Sequence, residues 1–337
     1  MEPISRIDAT EGVLYFRGLS VADLTPHRDF EEVLYLLVHG DLPSSAEHGA
    51  MSQALTAKRQ VFIDRLDSFR MTRERSGTPA LELLVEAMDE IKEELSLTPY
   101  DACLTFVACV PIAVALDYRT NNGMEFVEPD AHMSHAANLL WMLTGKKPSS
   151  RDIHDFTTCL VLHMDDPDNP SLSALIDTLG KGGSLSVALT EAIREHRGRL
   201  HHGAGAEAAK MIIQCRDSPD IREYLRDRLL AGEKIYGLGH RIYRTLDPRA
   251  RILRQMLRDR LAAEDPLPEV IERVASLGAE VLSEHKGIVV HPNVDLYNAV
   301  VYSTFGLPSS LNTDLFALSR AAGWMAHILD VLGAERV

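Results

Sequence analysis

Apolar residues in this chain return with the period of an α-helix almost from end to end, and strand signals are scarce. Within residues 269–284, Val270, Val274, Leu277 and Val281 fall at positions 0, 4, 7 and 11, while Glu272, Arg273, Glu280 and Glu284 fill much of the rest. That spacing predicts an amphipathic helix with one buried face, because residues three and four apart stack on the same side of the coil. Over residues 314–329 the apolar positions lie nearly all round, which predicts a buried helix with Asn312 or Thr313 as N-cap and Pro308 upstream. Residues 102–116 are nearly uncharged and contain Pro111, and they read as a buried, kinked core helix. The best strand signal is the short segment 12–18, closed by Gly12 and Gly18. Breaker-rich stretches at 40–43, 167–173, 180–183 and 265–268 separate helices, with no long low-complexity linker, internal repeat or heptad run. The fold class expected is all-α, built from many helices.

Charge limits the partners. With 35 Lys+Arg against 49 Asp+Glu the formal net charge is −14, so nucleic acid and anionic membrane are repelled at long range. A small anionic substrate remains compatible where arginines cluster. The 337 residues, 45% of them hydrophobic, suffice for one large or two modest domains with a sizeable core. The first eight residues carry neither a basic nor an apolar run, and no eighteen apolar residues run uninterrupted by charge. No secretory signal and no transmembrane helix are therefore expected. Cys103, Cys109, Cys159 and Cys215 form no CxxC pair and sit in apolar segments, reading as buried reduced thiols rather than disulfides or metal ligands. A cytoplasmic location is the expectation.

Chemistry concentrates in three short segments. In Gly198-Arg-Leu-His201-His202-Gly203-Ala204-Gly205, two histidines meet a glycine-rich turn before an apolar helix, whose free N–H groups suit an anion or an enolate-like oxygen. A surface loop with capping histidines is the bland alternative. Residues 235–249 hold Gly237, Gly239, His240 and the arginines 241, 244 and 249, a basic concentration in an acidic chain. Guanidinium groups grip carboxylate or phosphate in a bidentate way. The Gly-x-Gly there lacks both the third glycine and the preceding strand of a dinucleotide fingerprint, and a salt-bridged helix start would also explain the charges. In His291-Pro-Asn293-Val-Asp295-Leu-Tyr297 a single acid lies among apolar residues. It is either an N-capping aspartate or a carboxylate whose raised pKa suits it as a base.

Together these segments resemble the citrate synthase family. Gly239-His240-Arg-Ile-Tyr-Arg244-x-x-Asp247-Pro248-Arg249 is similar to its G-H-x-x-x-[KR]-x-x-D-P-R block, and Pro292-Asn293-Val294-Asp295-x-Tyr297 to its P-N-V-D-[FY]-[YH] segment. Residues 315–327, with Arg320, Gly323 and His327, resemble its F-x-x-[SG]-R-x-x-G-x-x-A-[HQ] helix, and residues 7–18 its opening. The likeness covers nearly the whole chain and is weakest between about residues 45 and 130. It implies a Claisen-type condensation of an acyl-CoA, usually acetyl-CoA, with oxaloacetate, followed by thioester hydrolysis. Asp295 would be the base, His201 the donor to the thioester oxygen, and His240 the acid on the 2-oxo acid ketone. Arg249 and Arg320 would hold substrate carboxylates. Arg244 would meet a CoA phosphate, with Gly237 and Gly239 shaping the same cofactor-binding loop. No metal or tightly bound cofactor is implied; acetyl-CoA is a co-substrate. The resemblance also implies a homodimer, a large helical domain of residues 1–202 plus 307–337, and a small one of residues 203–306 that closes over the site.

The sequence departs from that pattern in places. Asp166 falls where the family places a histidine on oxaloacetate, within Leu162-His163-Met-Asp165-Asp166-Pro-Asp168-Asn169. A carboxylate about 4 Å from a substrate carboxylate costs roughly 4 kcal/mol at an effective dielectric near 20, which predicts weakened oxaloacetate or a less anionic 2-oxo acid. His202 replaces a glycine beside His201, and a register shifted by one would make His202 the acid. The chain stops at Val337, so a C-terminal arm reaching a partner subunit is expected to be missing. Residues 78–83 lack the family's M-x-x-L-R pattern. Two other readings exist: a non-catalytic paralogue that binds acyl-CoA or a partner protein, and a hydrolase using His163, Asp165, Asp166, His201 and His202 on zinc or manganese.

Overall fold

The computed structural model describes residues 2–198, 203–240 and 245–336. They divide into two compact units, one of Met1–Arg6, Tyr15–Leu200 and Asp314–Val337, the other of Ile7–Leu14 and His201–Thr313. A small sheet opens the chain, with β1 (Ser5–Asp8), β2 (Val13–Phe16) and β3 (Leu19–Ser20) in that order. Strands β2 and β3 are antiparallel, Tyr15 opposite Ser20 and Phe16 opposite Leu19. The first unit continues with α1 (Val21–Leu24), α2 (Phe30–His39), α3 (Ser45–Ile63), α4 (Leu66–Ser76), α5 (Ala80–Glu94), α6 (Pro99–Asn121), α7 (His135–Thr144), α8 (Ser150–Val161), α9 (Pro170–Gly180) and α10 (Leu185–His196). The second holds α11 (Ala204–Asp217), α12 (Ile221–Leu230), α13 (Pro248–Arg260), α14 (Leu267–Lys286) and α15 (Asp295–Ser303), and α16 (Asn312–Leu332) closes the chain.

Local chemistry sets these boundaries. Asp29 caps α2 by accepting from the Glu32 N–H while Glu32 reaches back to the Asp29 N–H, a reciprocal box that satisfies two otherwise orphaned donors. Ser44 and Glu47 do the same for α3. Thr98 caps α6 and Pro99 occupies its first turn, where a missing N–H costs nothing. The segment from Ala102 to Leu116 is buried throughout, with Pro111 inside the helix. Helices α6 and the stretch Ser309–Leu332 are long and apolar enough to cross a membrane by length and composition, yet 83% and 72% of their most apolar windows are buried inside the fold, as core helices are. The periodic face at 270–281 is the buried side of α14, which ends at Gly287 with φ of 65°.

The structure differs from expectation at short elements. Only β2 of the sheet follows from the 12–18 segment; β1 and the two-residue β3 are too short to carry a period. Helix α16 begins at Asn312, where a 3-10 turn at Ser309–Leu311 runs directly into it, and the Asn312 Oδ1 accepts from Asn298 Nδ2 at 2.8 Å. All four cysteines are free and buried, and burial pushes the thiols of Cys103, Cys109 and Cys215 up to about 12.

Candidate active site

In the second unit, residues 237–240 lie against residues 290–295. The Gly239 N–H donates to His291 O at 2.8 Å, and the Asn293 N–H to Gly237 O at 3.0 Å. Asn293 Nδ2 donates to Gly239 O at 2.6 Å. Gly237 has φ of +79°, and a Cβ there would stand 2.6 Å from Leu296 Cβ, so both its backbone conformation and its close approach to α15 exclude a side chain. Gly239 is also left-handed, with φ of +85°. These glycines let one backbone segment rest on the other and fix where His240 leaves it.

Asp247 is the hub of this region. It has no exposed surface and caps α13, whose first residue is Pro248. Its Oδ1 accepts from the Arg249 N–H and Nε, both at 3.0 Å, and its Oδ2 from Arg249 Nη2 at 2.9 Å and the Val294 N–H at 3.2 Å. Burial alone would push this carboxyl up, but the charge and hydrogen bonds of Arg249, with the charge of His240, hold it below its ordinary value. Arg249 Nη2 also lies 3.4 Å from His240 Nε2. One carboxylate therefore ties α13, the start of α15 and, through Arg249, His240 into one arrangement.

Asp295 opens α15, its N–H donating to Asn293 Oδ1 at 3.0 Å. Its side chain keeps partial access to solvent, yet surrounding protein desolvates it. That desolvation pushes the carboxyl up to about 6; Arg249 pulls it down and Asp247 adds to the rise. A carboxylate with this value is mostly ionised at neutral pH yet more basic than an ordinary one, the range in which a general base works best.

The first unit holds Arg320 and Asp166. Arg320, on α16, is 1% exposed. Burial pushes the Asp165 carboxyl up, but the hydrogen bond and charge of His327, the charge of Arg320 and the Ser5 hydroxyl bring it below its ordinary value. Asp165 Oδ2 accepts from Ser5 Oγ at 2.5 Å and contacts His327 Nε2 at 2.9 Å. Gly323 permits this packing, since a Cβ there would lie 2.4 Å from Met164 O and 2.5 Å from Asp165 Oδ1. Asp166 is nearly buried, and its Oδ1 accepts from the Asp168 N–H at 3.2 Å, making a local turn before α9.

The structure thus brings Gly237, Gly239, His240, Arg249 and Asp295 together in one unit and places Asp166 and Arg320 in the other. His201, His202 and Arg244 lie outside the described residues. Sequence reasoning assigned no role to Asp247 or Ser5 and read Asp165 only as a metal ligand of the hydrolase alternative; the Pro after Asp247 at a helix start was the one readable signal of its capping role. His163 Nδ1 contacts Cys159 O at 2.7 Å and its ring packs on Phe316, so His163 and Asp165 are engaged by the protein itself. Among the described residues no group of three or more His, Cys, Asp or Glu side chains is arranged to hold a metal ion.

The family model for citrate synthase, C-terminal domain, matches residues 2–337. Citrate synthase of Haloferax volcanii is 37% identical over 337 residues, covering 97% of this chain and 88% of that protein. Citrate synthase of Acidithiobacillus ferridurans is 32% identical, covering 99% of this chain and 89% of the relative. Among solved structures, the ternary complex of citrate synthase from the thermophilic archaeon Thermoplasma acidophilum with carboxymethyl coenzyme A and oxaloacetate is similar with a TM-score of 0.84 and 25% identity, over 98% of this chain and 89% of that one.

Proposed function

The chain belongs to the citrate synthase family, and from that premise we propose how its residues carry out the reaction. The protein is an acyltransferase of the citrate synthase type, condensing acetyl-CoA with oxaloacetate and releasing CoA. The observation that carries the residue assignment is Asp295, a carboxyl raised to about 6 at the start of α15 beside Arg249 and Asp247.

Asp295 takes a proton from the acyl methyl group; the C–H pair becomes the C=C bond of the enolate and the carbonyl π pair moves onto the thioester oxygen, where His201 donates a hydrogen bond. The resulting enolate carbon attacks the ketone carbon of the 2-oxo acid. His240 gives its proton to the ketone oxygen as the C–C bond forms. Water then cleaves the thioester and CoA leaves as the thiol. Arg249 and Arg320 hold the substrate carboxylates, and Arg244, with the loop of Gly237 and Gly239, meets the CoA phosphates. Asp247 shares Arg249's charge and fixes its direction, so its role is positioning rather than proton transfer.

The remaining parts of the reading rest on the family resemblance: a homodimer, a cytoplasmic location, and closure of a small domain of residues 203–306 on a large one of residues 1–202 and 307–337. Free CoA release, measured with acetyl-CoA or propionyl-CoA against a panel of 2-oxo acids, tests the assignment. Turnover that collapses in Asp295→Asn supports it. Turnover equal in wild type and variant removes Asp295 as the base, and acyl-CoA binding without release favours a non-catalytic chain.

A further inference from the structure

In the first unit, α2, α3 and the segment before α7 line an open pocket of about 440 Å³. Its walls include Asp29, Glu31, His48, Thr56, His132 and Ser134. Glu31 is only 2% exposed, and its Oε1 accepts the His135 N–H at 2.8 Å. Its other oxygen, Oε2, is buried in this wall and has no hydrogen-bond partner. A buried carboxylate oxygen left unpaired costs far more than one in water, so such groups are normally met by a donor.

The charge of Arg59 offsets part of the cost of burying Glu31, without a direct ion pair between the two. Arg59 is buried nearby, but it donates Nη1 to Thr56 Oγ1 at 3.3 Å, and among the described residues no carboxylate lies within ion-pair distance of it. The His135 ring lies flat on Phe30, centroids 4.1 Å apart, and burial drives its pKa well below the ordinary value, so it stays neutral. His48 is engaged with Asp29, Nε2 to Oδ2 at 2.8 Å. No lysine or arginine lines the cavity. Two carboxylates, hydroxyls and the imidazoles of His48 and His132 therefore face a space large enough for a small organic molecule. A metal ion fits poorly, because among the described residues no three suitable ligands converge.

We propose that this cavity binds a small organic cation, a primary amine or guanidine compound whose N–H groups donate to Glu31 Oε2. Desolvation, followed by the charge of Asp29, raises the Glu31 carboxyl against the backbone hydrogen bonds and the charge of Arg59 that lower it, and a bound ammonium would add to that lowering. The site is separate from Asp295, His240 and Arg320, and it does not depend on the roles proposed for them.

The test uses the intact protein, with putrescine and agmatine as cationic probes and phosphate and succinate as anionic ones, read by thermal unfolding and by isothermal titration. A cation at about ten times its Kd is expected to raise Tm by roughly 2–4 °C. Glu31→Gln keeps an acceptor for the His135 N–H but loses the charge, and the expected result is at least a tenfold weaker Kd with CoA release unchanged. Ala57→Trp, at an exposed position on the cavity wall, leaves the buried network intact and is expected to block the same binding. Absence of heat and Tm shift with both cations, binding of the anions instead, or cation binding that survives both substitutions would each overturn the proposal.

Discussion

The Asp247 carboxylate grips the Arg249 guanidinium as a fork, Oδ1 on Nε at 3.0 Å and Oδ2 on Nη2 at 2.9 Å, with no exposed surface on the acid. The guanidinium is thereby held in one direction by the protein itself. Removing one member of a buried pair leaves the other charge uncompensated, so Asp247→Ala is expected to lose about 3–5 kcal/mol of stability. Urea unfolding measures this directly. Asp247→Asn, which keeps an acceptor, should lose less and should still raise KM for the 2-oxo acid.

Asp295→Asn separates function from stability. Loss of the base is expected to lower kcat by about 10²–10⁴-fold with little change in KM. Stability should move the other way. The folded carboxyl is raised to about 6 from an ordinary 3.8, so its protonated form is favoured by folding. That stability is full below the unfolded value and is lost as pH rises through the folded one. The Asn variant should therefore unfold roughly 1–3 kcal/mol later than wild type at pH 7–8, after allowance for partial solvent access. The two should converge near pH 4.

The same titration predicts the pH profile of the wild type. Proton abstraction requires the ionised carboxylate, so kcat/KM should fall about tenfold per unit below pH 6. A profile without an inflection between about pH 5 and 7 would remove Asp295 from the rate-determining proton transfer.

Asp166→Asn tests the charge at the turn before α9 while keeping an oxygen for the Asp168 N–H. With Asp166 close to bound oxaloacetate, removing its charge is expected to lower KM by about tenfold, well under the dry-pocket limit because 9% of the residue remains exposed. An unchanged KM would place the carboxylate away from the substrate. Asp166→His, measured beside it, shows whether an imidazole adds a further gain.

Gly323→Ala probes the packing of α16 on residues 164–165. A methyl placed 2.4 Å from Met164 O must displace backbone, and overpacking of this kind costs about 1–3 kcal/mol. Denaturant titration gives the loss, and the activity of the folded fraction shows whether Arg320, one turn earlier, has shifted with it.

Much of the fold was legible because long helices repeat one signal many times. The face of α14 and the uncharged run of α6 needed only their own residues to be read. Strands β1 and β3 and the four-residue α1 offered too few repeats. The site was legible where a linear segment holds both backbone and side chain, as at Gly239-His240 or Asn293-Val294-Asp295. It was illegible where partners lie far apart in sequence. Nothing in residues 245–249 says that Asp247 also accepts from the N–H of Val294, and nothing near Asp165 points to Ser5, 160 positions away. Glu31 reads as one acid of an ordinary helix start, and only the assembled walls around it leave its second oxygen without a donor.

The eight residues Ile7–Leu14 are counted with the second unit although the chain on either side of them belongs to the first. A gene fragment encoding only His201–Thr313 would therefore omit part of the unit it was meant to isolate. The glycine at position 12 sits against Thr245, a contact such a fragment would leave bare. Dissection of this protein into separately expressed halves calls for a circular permutation or a grafted hairpin, not a single cut.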